Sequence, residues 1–164
     1  MKDQVIIITG AAMGLGLATA ELLAKEGAKL VLVDYNEDAL KDAEQKLKEI
    51  NPEVALLSVK ADVSSEEQVK NYVDKTVEKF GRIDGLYNNA GIEGKQASIV
   101  DYDLDIFKKV IDINLMGVYY GLRYVIPVMQ KQKFGRIVNV ASVGGIRGVL
   151  NQMPYVASKH AVSG

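Results

Sequence analysis

Val5-Ile-Ile-Ile-Thr9-Gly10-Ala-Ala-Met13-Gly14-Leu15-Gly16 decides the fold. Five β-branched residues stand in a row, and the run from Val5 to Ile8 reads as a short strand. Three glycines follow at once, and a helical pattern then runs from Met13 to Glu26, with Leu15, Leu22 and Leu23 near helical spacing. A strand running into glycines and then into a helix leaves backbone free of side chains at a helix N-terminus. Free N–H groups and a partial positive charge at that point suit a pyrophosphate. Gly10, Met13, Gly14, Leu15 and Gly16 are therefore candidate cofactor contacts. The spacing is G-x-x-x-G-x-G rather than G-x-G-x-x-G, and glycines so placed also serve tight helix–strand packing.

The same alternation continues along the chain. Lys29 to Val33 is a second apolar run, ended by Asp34. Ala39 to Ile50 places Leu40, Ala43, Leu47 and Ile50 on one helical face, and Asn51-Pro52 stops it. Val54 to Val59 reads as a third strand. Ser64 or Ser65 caps a helix with Val69, Tyr72, Val73, Thr76, Val77 and Phe80 at the i, i+3, i+4 period, closed by Gly81. Ile83 to Tyr87 is a fourth strand. A long helix spans roughly Leu104 to Lys131, with Pro127 as the expected place for a kink or break. Arg136 to Val140 is a fifth strand, and Pro154 opens a last helix. Strands alternating with helices imply right-handed crossovers. The expected fold is α/β: a doubly wound parallel sheet in a Rossmann-like α/β/α sandwich, one dinucleotide-binding domain over residues 1–164.

A chain of 164 residues, 48% hydrophobic and 25% charged, can bury a core. A net charge of −1 provides no basic field for nucleic acid or an anionic membrane. The apolar run near the N-terminus is too short to span a bilayer. With no cysteine there is no disulfide framework and no thiolate metal site, and no His/Cys/Asp cluster argues for a metal. The chain reads as soluble and cytoplasmic.

Asp34 lies about 20 residues beyond the glycine turn, where an acidic side chain accepts hydrogen bonds from an adenosine ribose. A carboxylate there repels a 2′-phosphate, and no arginine or lysine stands at Ala11, Ala12, Tyr35 or Asn36 to attract one. NAD is therefore the expected cofactor, in preference to NADP.

Tyr155 and Lys159 stand at i and i+4, on one face of the last helix. A phenol, with an ordinary pKa of about 10, is a poor base at neutral pH. A neighbouring ammonium and an oxidised nicotinamide both favour its phenolate. Such a tyrosine can pass a proton to or from a carbonyl oxygen while hydride moves. Ser142 lies just past the fifth strand, placed to hold the same oxygen. Asn114, in the long helix, is a candidate for ordering water or backbone near the lysine. Singly these features are common; a tyrosine–lysine pair at this spacing decorates many ordinary helices.

Thr9-Gly10-x-x-x-Gly14-x-Gly16, Asp62-Val63, Asn88-Asn89-Ala90-Gly91, Asn114, Ser142 and Tyr155-x-x-x-Lys159 together resemble the short-chain dehydrogenase/reductase family, in its order and at its spacing. The resemblance implies that Asp62 and Val63 border the adenine, and that Asn88 to Gly91 steady the sheet, with Asn89, Ala90 and Gly91 lining the cofactor cleft. It implies a catalytic set of Ser142, Tyr155 and Lys159, with Asn114 completing a proton relay through water and Lys159 also holding the nicotinamide ribose. The substrate would be a small-molecule alcohol or ketone.

Asn89-Ala-Gly-Ile-Glu-Gly-Lys-Gln96 and Ala141-Ser-Val-Gly-Gly-Ile-Arg-Gly148, with Asn151-Gln152, look similar to the NAD-dependent levodione reductases within that family, which act on cyclic ketones and secondary alcohols. Glu93, Gln96, Val143 and Gln152 are then the candidate substrate contacts. Members of the family continue well past this length. The resemblance therefore implies a truncated form of a longer enzyme, a homo-oligomer when whole. As a fragment it would leave the fifth strand at an open edge, prone to aggregate and poor in turnover. The alternative is a catalytically incompetent NAD-binding or interaction module, complete as it stands.

Overall fold

The computed structural model describes all residues, 1–164. Five strands form one sheet: β1 (Val5–Thr9), β2 (Lys29–Asp34), β3 (Leu56–Lys60), β4 (Gly85–Asn88) and β5 (Arg136–Asn139). Every pairing is parallel, and the order is β3-β2-β1-β4-β5. The chain winds outward through β2 and β3, then returns to the other side of β1. The reversal lies between β1 and β4, where ligands of such sheets collect at the strands' C-terminal ends.

The helices are α1 (Gly14–Lys25), α2 (Glu37–Ile50), α3 (Glu66–Phe80), α4 (Leu104–Ile111), α5 (Gly117–Gln132) and α6 (Met153–Ser163). Both faces of the central strands are buried, so Val5–Ile8 of β1 and Leu30–Val33 of β2 are apolar without alternation. Val5, Ile7, Val31 and Val33 face α3 and α5, against Val69, Tyr72, Val73, Val125 and Met129. Ile6, Ile8, Leu30 and Leu32 face α1 and α2, against Ala20, Ala24, Leu40 and Leu47.

Local signals fix the helix ends. Asn36 caps α2 by accepting the Ala39 N–H at 3.1 Å. Of the two candidate serines, Ser65 caps α3. Gly81 ends α3 at φ +73°, in the left-handed region that a side chain resists. Asp103 caps α4 by accepting two backbone N–H groups, which holds its carboxyl below the usual carboxylate range. α1 differs: Met13 at its N-cap supplies no side-chain bond, and its first turn carries no acid.

The structure adds the buried face of α1 and corrects the expectation at Pro127. The buried face of α1 is Gly16, Ala20 and Ala24, at i, i+4 and i+8, while Leu15 and Leu22 are exposed. Small residues win that face because the helix lies close on the sheet. The long helix is not broken at Pro127, which α5 carries inside it. Pro127 is exposed, so the carbonyl it leaves unpaired one turn back, on exposed Arg123, can turn to water. The irregularity is a π-helical turn at Asp112–Met116, between α4 and α5. No helix is long and apolar enough to cross a membrane.

Candidate active site

Because all strands are parallel, the loops after β1, β2, β3, β4 and β5 emerge at one edge of the sheet. They carry nearly every residue singled out from the sequence.

The three glycines of the first loop divide the work. Gly10 (φ +63°) and Gly14 (φ +54°) adopt left-handed backbone. A Cβ on Gly14 would meet nothing within 4 Å, so this stretch is open to a ligand. A Cβ on Gly16 would lie 2.0 Å from the Gly10 carbonyl oxygen, so Gly16 is there for close packing. Met13 and Leu15 project outward and leave the backbone between them accessible. The N–H groups of Gly14, Leu15 and Gly16 donate to no carbonyl within the chain. β4 braces the loop: Asn89 Nδ2 donates to the carbonyls of Thr9 (3.0 Å) and Gly10 (3.2 Å). The Thr9 hydroxyl accepts the N–H groups of Asn89 and Ala90.

Asp34, 7% exposed, does more than end β2. Its two oxygens accept the N–H of Ala12 and of Asn36, both at 3.1 Å. It thereby fixes the glycine loop to the second strand, and each oxygen keeps a lone pair for a ligand hydroxyl. Asp62 is exposed, and its Oδ1 accepts the N–H and hydroxyl of Ser64. Val63 is buried beneath Gly117, where a Cβ would come within 2.9 Å of Val63 Cγ2.

The reacting groups gather on α6. Lys159 is 4% exposed, and its Nζ donates to the Val140 carbonyl at 2.7 Å. Burial lowers the pKa of this ammonium. Nζ lies 5.8 Å from the centroid of the Tyr155 ring. Ser142 opens a short 3-10 turn, Val143–Gly145, and its Oγ accepts the Gly144 N–H at 3.1 Å. The Tyr155 ring lies against Gly144, where a Cβ would come within 3.2 Å of Cε1. Ser142, Tyr155 and Lys159 are thus brought into one cluster.

Asn114 joins from the π-helical turn, a distortion frequent at functional sites. It is fully buried; its Oδ1 accepts the Ile92 N–H at 2.8 Å, and its Nδ2 donates to the Ile92 carbonyl at 2.9 Å. Gly91 is wedged between it and the lysine: a Cβ there would meet Asn114 Oδ1 at 3.2 Å and Lys159 Nζ at 3.5 Å.

Of the candidate substrate contacts, Glu93 and Gln96 are exposed on the loop after β4, and Val143 is exposed on the 3-10 turn. Gln152 is half-buried at the N-cap of α6. The Ala97 N–H donates to the Asn151 carbonyl at 3.1 Å, which brings Gln96 and Gln152 to a common rim. Two bracing residues escape the sequence reading: Tyr102, whose hydroxyl accepts the Lys95 N–H at 3.0 Å, and Ser158. Nothing in the sequence marks either; Thr9 stands in the glycine motif, and the structure adds its bracing hydroxyl.

A family model described as short chain dehydrogenase matches residues 4–164. The chain belongs to the short-chain dehydrogenase family. Levodione reductase of Leifsonia aquatica is 51% identical over 162 residues, covering 99% of this chain and 61% of that protein. A crystal structure of levodione reductase superposes with a TM-score of 0.97 at 51% identity, covering 99% of this chain and 63% of that one. A crystal structure of NAD+-bound xylitol dehydrogenase gives 0.94 at 43% identity, covering 98% and 61%. The chain thus spans less than two thirds of the length of these short-chain dehydrogenases. The parallel sheet and its strand order are those of the Rossmann-like architecture expected from the motifs.

Proposed function

We propose that this chain carries the dinucleotide-binding and reacting portion of an NAD-dependent oxidoreductase. It would exchange hydride between NAD(H) and a secondary alcohol or ketone, with cyclic ketones the first class to test. The single observation behind this reading is the cluster at the start of α6: a buried Lys159 ammonium beside the Tyr155 ring, with that ring and the Ser142 hydroxyl both near Gly144.

The residues present fit the cofactor. An uncapped helix start with free N–H groups and an open Gly14 suits two phosphates. A carboxylate at Asp34, with no lysine or arginine beside it in the loop, suits a free ribose hydroxyl and disfavours a phosphate there. Met13, Leu15, Asp62, Val63, Asn89, Ala90 and Gly91 are the remaining proposed cofactor contacts. NAD+, when bound, supplies the hydride acceptor.

The chain's own part is proton management. In the oxidative direction the Tyr155 phenolate oxygen takes the alcohol's hydroxyl proton as the C–H bond gives up hydride; in reduction the phenol returns it to the carbonyl oxygen. Lys159 would stabilise negative charge on the Tyr155 oxygen and would hold the nicotinamide ribose. The Ser142 hydroxyl orients the substrate oxygen. Asn114 holds the Gly91-Ile92 backbone against the cluster. Glu93, Gln96, Val143 and Gln152 would line the substrate, and the assembled enzyme would be a homo-oligomer.

The test uses the full polypeptide that carries this sequence. NADH binding is followed by fluorescence and turnover with a panel of cyclic and open-chain secondary alcohols. Tyr155→Phe should retain NADH binding and lose nearly all turnover. NADH binding without turnover in the unaltered protein would favour the non-catalytic module. Undiminished turnover in Tyr155→Phe would sink the assignment.

A further inference from the structure

One buried polar side chain beside the site, Ser158, has no part in the reading above. Ser158 is fully buried inside α6, between the two members of the reacting pair in sequence. Its hydroxyl accepts from Asn114 Nδ2 at 3.1 Å and donates to the Tyr155 carbonyl at 2.8 Å. Asn114 spends its other two bonds on the N–H and carbonyl of Ile92. Both N–H groups of the Asn114 amide are therefore spent, one on Ile92 and the other on Ser158, while the oxygen accepts from Ile92. Asn114 and Ser158 are both fully buried.

This chain of bonds joins three segments. It runs from the loop after β4, through the π-helical turn between α4 and α5, into the first turn of α6. The hydroxyl meets the backbone of Tyr155 itself, so it bears on where that residue's Cα sits. A buried, fully satisfied network of this kind specifies one arrangement, because any shift leaves a donor without a partner.

We propose that Ser158 is a positioning residue, which holds α6 in register with the Gly91-Ile92 loop so that Tyr155 meets the substrate oxygen. The proposal rests on the oxidoreductase reading above. Ser158 itself touches neither cofactor nor substrate. Its effect passes through the Tyr155 backbone on one side and Asn114 on the other. Small misplacements of a reacting group are costly to rate while leaving binding nearly intact.

The experiment compares Ser158→Ala with Ser158→Thr in the full polypeptide, with Tyr155→Phe as the control on the functional reading. Ser158→Ala should lower kcat roughly tenfold while KM and the NADH Kd stay within about twofold. Ser158→Thr, which keeps the hydroxyl, should recover most of that loss. If the added methyl prevents folding, a double-mutant cycle replaces it: adding Ser158→Ala to Asn114→Ala should cost little beyond Asn114→Ala alone. Thermal unfolding run in parallel identifies a merely structural role, in which stability falls and kcat does not. That result, or an unchanged kcat in Ser158→Ala alongside an inactive Tyr155→Phe, overturns the positioning role and leaves the functional reading standing. An active Tyr155→Phe removes the reading itself.

Discussion

Lys159 Nζ donates to the carbonyl oxygen of Val140 over 2.7 Å, which ties the helix bearing the reacting pair to the residue just beyond β5. The same burial that makes this bond possible lowers the lysine's pKa below its ordinary 10.5. Below that depressed folded value, both states carry the proton and the penalty on the folded state is constant. Between it and 10.5 the unfolded chain holds more protons, so stability rises with pH across the window. Urea unfolding from neutral pH to about 10.5 should show this rise in the parent chain and a flatter profile in Lys159→Met. A difference between the two that stays level with pH would contradict the assignment.

Gly16→Ala should be far more damaging than an ordinary helical alanine. The new Cβ would stand 2.0 Å from the Gly10 carbonyl oxygen, and backbone cannot yield as a side chain can. The expected cost is about 2–3 kcal/mol or more, together with loss of NADH binding. Calorimetry and an NADH titration check both. Gly14→Ala is the contrast: space is open there, and only the φ of +54° is strained, for about 1–2 kcal/mol.

Asp34→Ala should act twice. It strips two backbone N–H groups, on Ala12 and Asn36, of their acceptor, a loss of about 1–3 kcal/mol in stability. It also removes the charge that opposes a 2′-phosphate. The ratio of NADPH to NADH affinity should rise roughly tenfold, which is about 1.4 kcal/mol. Fluorescence titrations with the two nucleotides measure the ratio, and an unmoved ratio would count against Asp34 as the ribose contact.

Tyr72→Phe should be neutral or stabilising. The Tyr72 hydroxyl is buried with no hydrogen-bond partner, and burial pushes its pKa up. Removing an unsatisfied polar atom from the face of β1 and β2 covered by α3 relieves a desolvation cost. A melting temperature equal to or above that of the parent is expected; a clear drop would mean that the hydroxyl is satisfied in solution.

The strand–helix alternation was legible because each strand is a dense β-branched run and most helices carry an amphipathic face. Asp34 and Gly81 announced their positions by residue type alone, whereas the choice of Ser65 over Ser64 as the α3 cap needed the structure. The α1 packing was not legible: leucines at helical spacing suggest the buried face, yet close approach to the sheet selects Gly16, Ala20 and Ala24 instead. The π-helical turn left no trace in Asp112–Met116, whose composition is ordinary for a helix, so Asn114 read as one more helical polar residue. Its burial and its bonds to Ile92 depend on residues far away in sequence, which no local pattern encodes. Ser158 was hidden for the same reason.

α6 rests on the Val143–Gly145 turn, on α4 and on the π-helical turn rather than on the strands. Gly145 is the seat of that contact: a Cβ there would lie 2.7 Å from the Lys159 carbonyl oxygen and 2.5 Å from Ser163 Oγ. The helix that would perform the chemistry is therefore expected to open apart from the sheet. Its amides can exchange with deuterium through local openings that leave the sandwich closed, so loss of activity on mild heating would come before loss of the fold.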